Sequence, residues 1–380
     1  MDYTSQSLLF KLKKTLRYVR LYGPSRTLVK VKGQYHFKKS YKSLPKIVDE
    51  AGRSGHVGLL GCGNYAYSNI AYYLKKNYGN VIRGCMDPNL NRAASLFEDY
   101  GLAYYTDDPQ KLLDDPKIDT FYVASNHATH APFAIEALKR NKHVHIEKPH
   151  CVTHAQLETL LDTMATSSGR VLSIGYNRPF SVIGQKIQSC LQAESGESMQ
   201  SWFVAGHELD PDHWYFSPEE GGRVLGNLCH WIDFVYEMIE PENRYPITIT
   251  PTRSERSDCD IAVSFIFGDG SIAAITFSAK GHTFEGVRER YASHRGNTLI
   301  SMEDFKNLTV EIIDRKIHLS PFFRDHGHER SIVASYVAAT AADSSKACSA
   351  QRVREVGEMF LETRDSLESN CVKTLSVNSE

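Results

Sequence analysis

The sequence predicts an α/β protein in two parts. The first carries a parallel, doubly wound sheet, and the second an α/β arrangement with an open, mostly antiparallel sheet. Three observations support this. At 380 residues the chain is long enough for two cores. From His56 to about residue 178, short apolar runs alternate with helical segments, the signature of βαβ units. Beyond about residue 180 the apolar runs follow one another through turns, and IFGDGSI holds Asp269-Gly270, a tight hairpin signal. The expected division is a basic helical extension over 1–54, a doubly wound domain over 55–178 and an open-sheet domain over 179–380.

Taken in order, Tyr3 to Val48 contains twelve Lys and Arg and no Asp or Glu. Within SLLFKLKKTLRYVRLYG, Leu9, Leu12, Leu16 and Val19 recur at helical spacing opposite a basic face. Such a helix can lie on an anionic membrane surface. The simpler expectation is a helix docked on its own protein, with Lys and Arg solvated. HVGLL (56–60) then reads as a strand, NYAYSNIAYYLKKN (64–77) as a helix and VIRGCM (81–86) as a strand. A helix over 89–100, AYYTD (103–107), FYVAS (121–125) and a helix over 130–141 follow. HVHI (143–146) precedes a helix whose start is marked by the capping pair Thr153 and Gln156, and VLSIGY (171–176) adds a strand. Sheets of this kind bind ligands beyond the carboxyl ends of their strands. Glu147, Lys148 and Pro149, which follow HVHI, therefore belong to the ligand edge. In the second part, strands are expected over 199–206, 245–252, 259–279 and 298–302, with helices over 230–239, 328–342 and 350–366.

Composition removes several function classes. A net charge of −1 and a pI near 7.0 argue against a general nucleic-acid binder. No apolar run reaches the ~18–20 residues that span a bilayer, and the first segment is too broken by Lys and Arg for a secretory signal. The eight cysteines lie at 62, 85, 151, 190, 229, 259, 348 and 371 with no CxxC, which suits free thiols in a reducing cytoplasm. His127 with His130, His143 with His145, and His326 with His328 superficially invite a metal. No Cys or carboxylate cluster supports them, so no metal is expected, and His130 is read as a residue that caps or packs.

The turn after the first strand is Gly61-Cys62-Gly63-Asn64-Tyr65-Ala66, a GxGxxA between a strand and a helix. Gly61 permits the tight turn, Gly63 lets a pyrophosphate approach the backbone and Ala66 allows close helix packing, with Asn64 and Tyr65 opening the helix toward the phosphates. Asp87, at the end of the second strand, can accept from a ribose 2′-OH and repels a 2′-phosphate, so NAD is expected; Arg92 leaves NADP open. Arg178 in NRPF and the run His213-Trp214-Tyr215 offer a cation and aromatic faces that suit a ligand ring or phosphate, with core packing of Trp214 as the alternative.

GCGNYA (61–66), ASNHATHAPFAIEALKRNKHVHIEKP (124–149), GYNRPF (175–180) and GGRVLGNLCHWIDF (221–234) together resemble the Gfo/Idh/MocA oxidoreductases, the glucose–fructose oxidoreductase and inositol dehydrogenase family. The resemblance implies an NAD(P)-binding Rossmann domain and a sugar or cyclitol site on the open sheet. It makes Lys148 of EKP the residue at the reacting carbon, with Glu147 orienting the loop or binding cofactor ribose and Ser125 and Asn126 near the nicotinamide ribose. It makes His230 the second acid/base residue. Many relatives carry an Asp four residues before this His; here Gly226 stands there, followed by Asn227, which can orient a hydroxyl but cannot relay a proton. The variant resembles a subfamily tied to polysaccharide biosynthesis. The implied function is hydride transfer between nicotinamide and a secondary alcohol or ketone of a sugar, a nucleotide sugar first, in a homo-oligomer. NAD-assisted glycoside cleavage and a non-catalytic cofactor-binding role are the alternatives.

Overall fold

The computed structural model describes residues 5–47, 54–167, 169–207, 209, 212–254, 260–282, 284, 286–341 and 347–376. Cys259, where a strand was expected to begin, lies outside them. The described residues fall into two compact units, one within 5–175 with 329–354, the other within 176–328 with 355–376.

The first unit is built on six strands, β1 (Val57–Leu60), β2 (Ile82–Met86), β3 (Tyr104–Thr106), β4 (Thr120–Val123), β5 (His143–Ile146) and β6 (Leu172–Ile174). Their order is β3-β2-β1-β4-β5-β6 and every pair is parallel, the expected doubly wound sheet. All residues of β1, β2, β4 and β5 are buried; β1 accordingly reads as a continuous apolar run, while β2 and β5 also bury Arg83, His143 and His145. Helices α1 (Leu8–Tyr22), α2 (Pro24–His36), α3 (Tyr72–Tyr78), α4 (Leu90–Tyr100), α5 (Pro109–Leu113), α6 (His127–Lys139) and α7 (His154–Thr166) accompany the sheet. Val57, Leu59, Ile70, Leu74, Cys85 and Tyr122 form its core, joined by Ile332 and Tyr336 from a later helix. Each fully buried aliphatic side chain there contributes about 1.5–3 kcal/mol. At the start of α7, Thr153 Oγ1 accepts from Gln156 N, and Gln156 Oε1 accepts from Val152 N, one residue earlier than in a standard capping box.

The basic extension is a helical hairpin, and it corrects the expected orientation of its first helix. Gly23, at φ 81°, ends α1, and Pro24 opens α2. The helix does dock on its own protein, against α2. However, the leucines are the side left outside: Leu8, Leu9, Leu12 and Leu16 are 84%, 61%, 57% and 60% exposed. Lys14 and Leu21 are the buried residues. A lysine can occupy that position because its stem is apolar and its ammonium lies over the Phe10 and Tyr18 rings, 5.9 and 5.4 Å from their centroids. Among the described residues no helix is long and apolar enough to cross a membrane.

The second unit holds nine strands, β7 (Ser198–Ala205), β8 (Ile247–Arg253), β9 (Ile261–Ile266), β10 (Ile272–Ser278), β11 (Arg288–Arg295), β12 (Thr298–Glu303), β13 (Asn307–Ile312), β14 (Arg315–Leu319) and β15 (Lys373–Leu375). The order is β14-β13-β12-β11-β7-β10-β9-β8-β15, antiparallel except where β7 meets β10. Helices α8 (Val182–Gln192) and α9 (Cys229–Glu237) belong here; α10 (His328–Thr340) and α11 (Ala350–Ser369) follow. The Asp269-Gly270 turn joins β9 to β10 with Gly270 at φ 88°. Strand β11 is absent from the sequence reading because RERYASHR looks solvated. Its alternation nevertheless turns Glu289, Tyr291, Ser293 and Arg295 inward.

Candidate functional site

The carboxyl edge of the parallel sheet gathers the first set of site residues. Hydrogen bonds extend the ladder one residue past the strands: Ala124 N to Leu60 O at 2.8 Å, Glu147 N to Val123 O at 2.9 Å and Gly175 N to Ile146 O at 2.8 Å. They hold the turn after β1, the loop after β4 and the loop after β5 side by side, where the strand order reverses between β1 and β4. Gly61, at φ 97°, lies so close to β4 that a Cβ would fall 2.5 Å from Ala124 O. A Cβ on Gly63 would meet nothing within 4 Å, so the backbone there is open to a ligand. Asp87 Oδ2 accepts from Cys62 N and Oδ1 from Asn89 N, both at 2.9 Å, which fixes the carboxylate beside the turn. The open Gly63, the helix start at Asn64 and Tyr65, and the adjacent carboxylate together fit a dinucleotide. Arg92 stacks its guanidinium on Phe37, 4.0 Å from the ring centroid.

The turn is also held from behind by α2, which the sequence reading did not anticipate. His36 Nε2 lies 2.8 Å from Cys62 O, and its ring stacks on Tyr67 with centroids 4.3 Å apart. Burial lowers its pKa. Gly33 allows this approach, since a Cβ there would lie 2.5 Å from Asn64 Oδ1. Arg26 donates to Ser68 O and Asn69 Oδ1 within the π-turn Ala66–Ala71 that leads into α3. No spacing marks His36 or Arg26 in sequence, because their partners lie some 26 and 42 residues away.

After β5, Glu147 is buried and Lys148 half-buried, and the Lys148–Pro149 peptide is cis. His145 Nε2 is 3.1 Å from Glu147 Oε1, and its Nδ1 is 2.8 Å from Ser335 Oγ. Burial pushes the Tyr65 phenol well up, and the charge and hydrogen bonding of Glu147 push it the same way. The carboxylate thus joins the glycine turn to the loop that carries Lys148. Gly175 gives it room, as a Cβ there would fall 2.6 Å from its oxygens. His130, read as a capping or packing residue, is buried with Nδ1 2.8 Å from Pro149 O and Nε2 3.2 Å from Ser125 O. Burial lowers its pKa, and the ring lies between the loop after β4 and Pro149. Ser125 and Asn126 meet Thr129, whose Oγ1 lies 2.7 Å from Ser125 Oγ and from Asn126 Oδ1. Burial also lowers the pKa of His150 to about 3.

In the second unit, His230 is half-buried at the start of α9, with Tyr176 edge-on at 6.3 Å. The preceding π-turn, Val224–Leu228, contains Gly226 and Asn227, and Asn227 Oδ1 accepts from Arg223 at 3.2 Å. Such turns concentrate at functional sites. Trp214 is 43% exposed in a cluster with His213 and Tyr215. Arg178 is not open to solvent: its Nε is 2.6 Å from Glu289 Oε1, and its guanidinium lies 4.7 Å from the Trp231 ring centroid. Trp231 Nε1 donates to Glu289 Oε1 at 2.8 Å, and His326 Nε2 is 3.2 Å from Oε2. Burial opposes the Glu289 charge, but Arg178 and His326 outweigh it and hold the carboxyl well below its usual range.

Residues 56–176 match an oxidoreductase family with an NAD-binding Rossmann fold, Gfo/Idh/MocA. D-glucoside 3-dehydrogenase of Escherichia coli K12 is 32% identical over 185 residues, covering 47% of this chain and 52% of that one. Myo-inositol 2-dehydrogenase of Thermotoga maritima is 26% identical over 266 residues, covering 68% and 78%. The chain spans 65%, 52%, 34% and 58% of the length of four relatives it matches. A levoglucosan dehydrogenase solved with NADH and levoglucosan shares the fold, with a TM-score of 0.72 at 15% identity over 85% of this chain and 100% of that one.

Proposed function

We propose, from the match of residues 56–176 to the Gfo/Idh/MocA oxidoreductase family, that this chain is an NAD-dependent dehydrogenase acting on a secondary alcohol or ketone of a sugar or polyol. The observation that carries the reading is the connection at the sheet edge, where buried Glu147 meets Tyr65 of the glycine turn and directly precedes Lys148 in the loop after β5. Gly61, Gly63, Asn64, Tyr65, Ala66 and Asp87 would hold the dinucleotide, with Ser125 and Asn126 toward its nicotinamide ribose. Its nicotinamide ring supplies the hydride acceptor or donor.

Taking hydride from a carbinol also requires the hydroxyl proton to leave, and in this reading Lys148 receives it. Glu147, held against Tyr65, anchors the loop that carries that lysine, and His130 holds the following peptide through Pro149 O. His230 and Asn227 bind substrate hydroxyls, Asn227 orienting without relaying a proton. Within the substrate class we favour a nucleotide sugar, because the exposed Trp214 face can stack a ring. Incubation with NAD and a panel of sugars, polyols and nucleotide sugars tests the reading. Net NADH with one of them is the expected result. Product without net NADH would assign glycoside cleavage instead, and cofactor binding with no turnover on any compound would overturn an enzymatic role.

A further inference from the structure

The leucine face of α1 has no partner role in the proposed chemistry, and its orientation is the opposite of what a soluble helix needs. Leu8, Leu9, Leu12 and Leu16 are each more than half exposed, while Lys14 is turned inward. Lys13 and Arg20 are exposed beside the leucines, and Arg17 is half-exposed. Across Tyr3–Val48 there are twelve basic residues and no acidic one. Between α1 and α2 lies a cavity of about 240 Å³ whose lining includes Lys11, Lys14 and Lys30 and no carboxylate.

We propose that α1 docks this protein on an anionic membrane surface, its leucines entering the headgroup boundary and its Lys and Arg meeting lipid phosphates. At 15 residues α1 is too short to span a bilayer, so it would lie in the plane of the surface. Charge decides between a lipid surface and a second copy of the chain. A two-fold contact of this stripe on itself would set a basic segment against its own copy with no acidic residue in Tyr3–Val48 to meet it, like charge on like. An anionic leaflet attracts the same residues and accepts the leucines.

The test uses the full chain with vesicles of phosphatidylcholine alone or mixed with phosphatidylglycerol, separated by sedimentation. Binding should be at least tenfold tighter on the anionic vesicles and be lost at molar salt. Leu12→Glu with Leu16→Glu should weaken it by about a hundredfold or more. Circular dichroism and NADH titration should be unchanged in this variant, since both side chains face solvent. Lys13→Glu with Arg17→Glu should remove the preference for anionic lipid. Equal weak sedimentation with both vesicle types, or binding indifferent to the leucine substitutions, would overturn the proposal. Light scattering that shows a dimer split by those substitutions, without vesicle binding, would overturn it in favour of a second copy.

Discussion

Substitution of the two glycines of the turn after β1 separates folding from cofactor binding, because their surroundings differ. In Gly61→Ala the new methyl would sit 2.5 Å from Ala124 O and 2.6 Å from Ser125 N. Both are backbone atoms at the end of β4, so neither can rotate away. The φ of 97° is also unfavourable for any residue with a Cβ. Strain of about 1–3 kcal/mol and overpacking of about 1–3 kcal/mol give a loss of about 2–6 kcal/mol. A middle value near 4 kcal/mol corresponds to a fall in Tm of roughly 8–16 °C for a unit of this size. Gly63→Ala should behave differently. Its methyl meets nothing within 4 Å, so stability should stay level or rise by up to about 1 kcal/mol. That methyl would, however, stand where a pyrophosphate approaches the backbone. NADH affinity should therefore drop about 10–100-fold, or about 1.4–2.8 kcal/mol. Scanning calorimetry reads the first effect and titration calorimetry with NADH the second. If Gly63→Ala binds NADH like the parent, the placement of the dinucleotide over this turn is wrong, and if Gly61→Ala unfolds no earlier, the close packing of the turn on β4 is wrong.

Lys148→Ala should keep NADH affinity and lower turnover about 10²–10⁴-fold on an identified substrate, and near-native turnover would remove it from the chemistry. NADH should bind more tightly than NADPH, because the fixed Asp87 carboxylate faces a 2′-phosphate with like charge, and calorimetry with both forms decides it. Glu289→Gln should cost about 3–5 kcal/mol in denaturant titration, since it leaves buried Arg178 without its counter-charge. The sign with pH follows from the depressed carboxyl of Glu289. Its contribution is present above the unfolded-state value of about 4.3 and is lost as pH falls toward the folded-state value, so the parent should lose stability in acid over a range where the Gln variant shows a shallower slope.

What was legible in the sequence is local or periodic. The turn GCGNYA, Asp87 at the end of the second strand and the apolar run of β1 carry their meaning within one βαβ unit. Neighbouring residues alone set strand period, turn chemistry and helix starts. The hairpin at Asp269-Gly270 and the capping pair at Thr153 were readable for the same reason. Tertiary contact decided the rest. Glu289 looks like one more solvated charge in RERYASHR, yet register turns it inward to meet Arg178, 111 residues away. His36 becomes a support of the cofactor turn only because Gly33 lets α2 close on Asn64. The leucine stripe of α1 was visible as a stripe, but periodicity gives a helix its two faces without saying which one is covered. Covering is a property of the neighbouring surface, and here α2 packs on α1 with Lys14 and Leu21 buried, leaving the leucines at 8, 9, 12 and 16 to the outside.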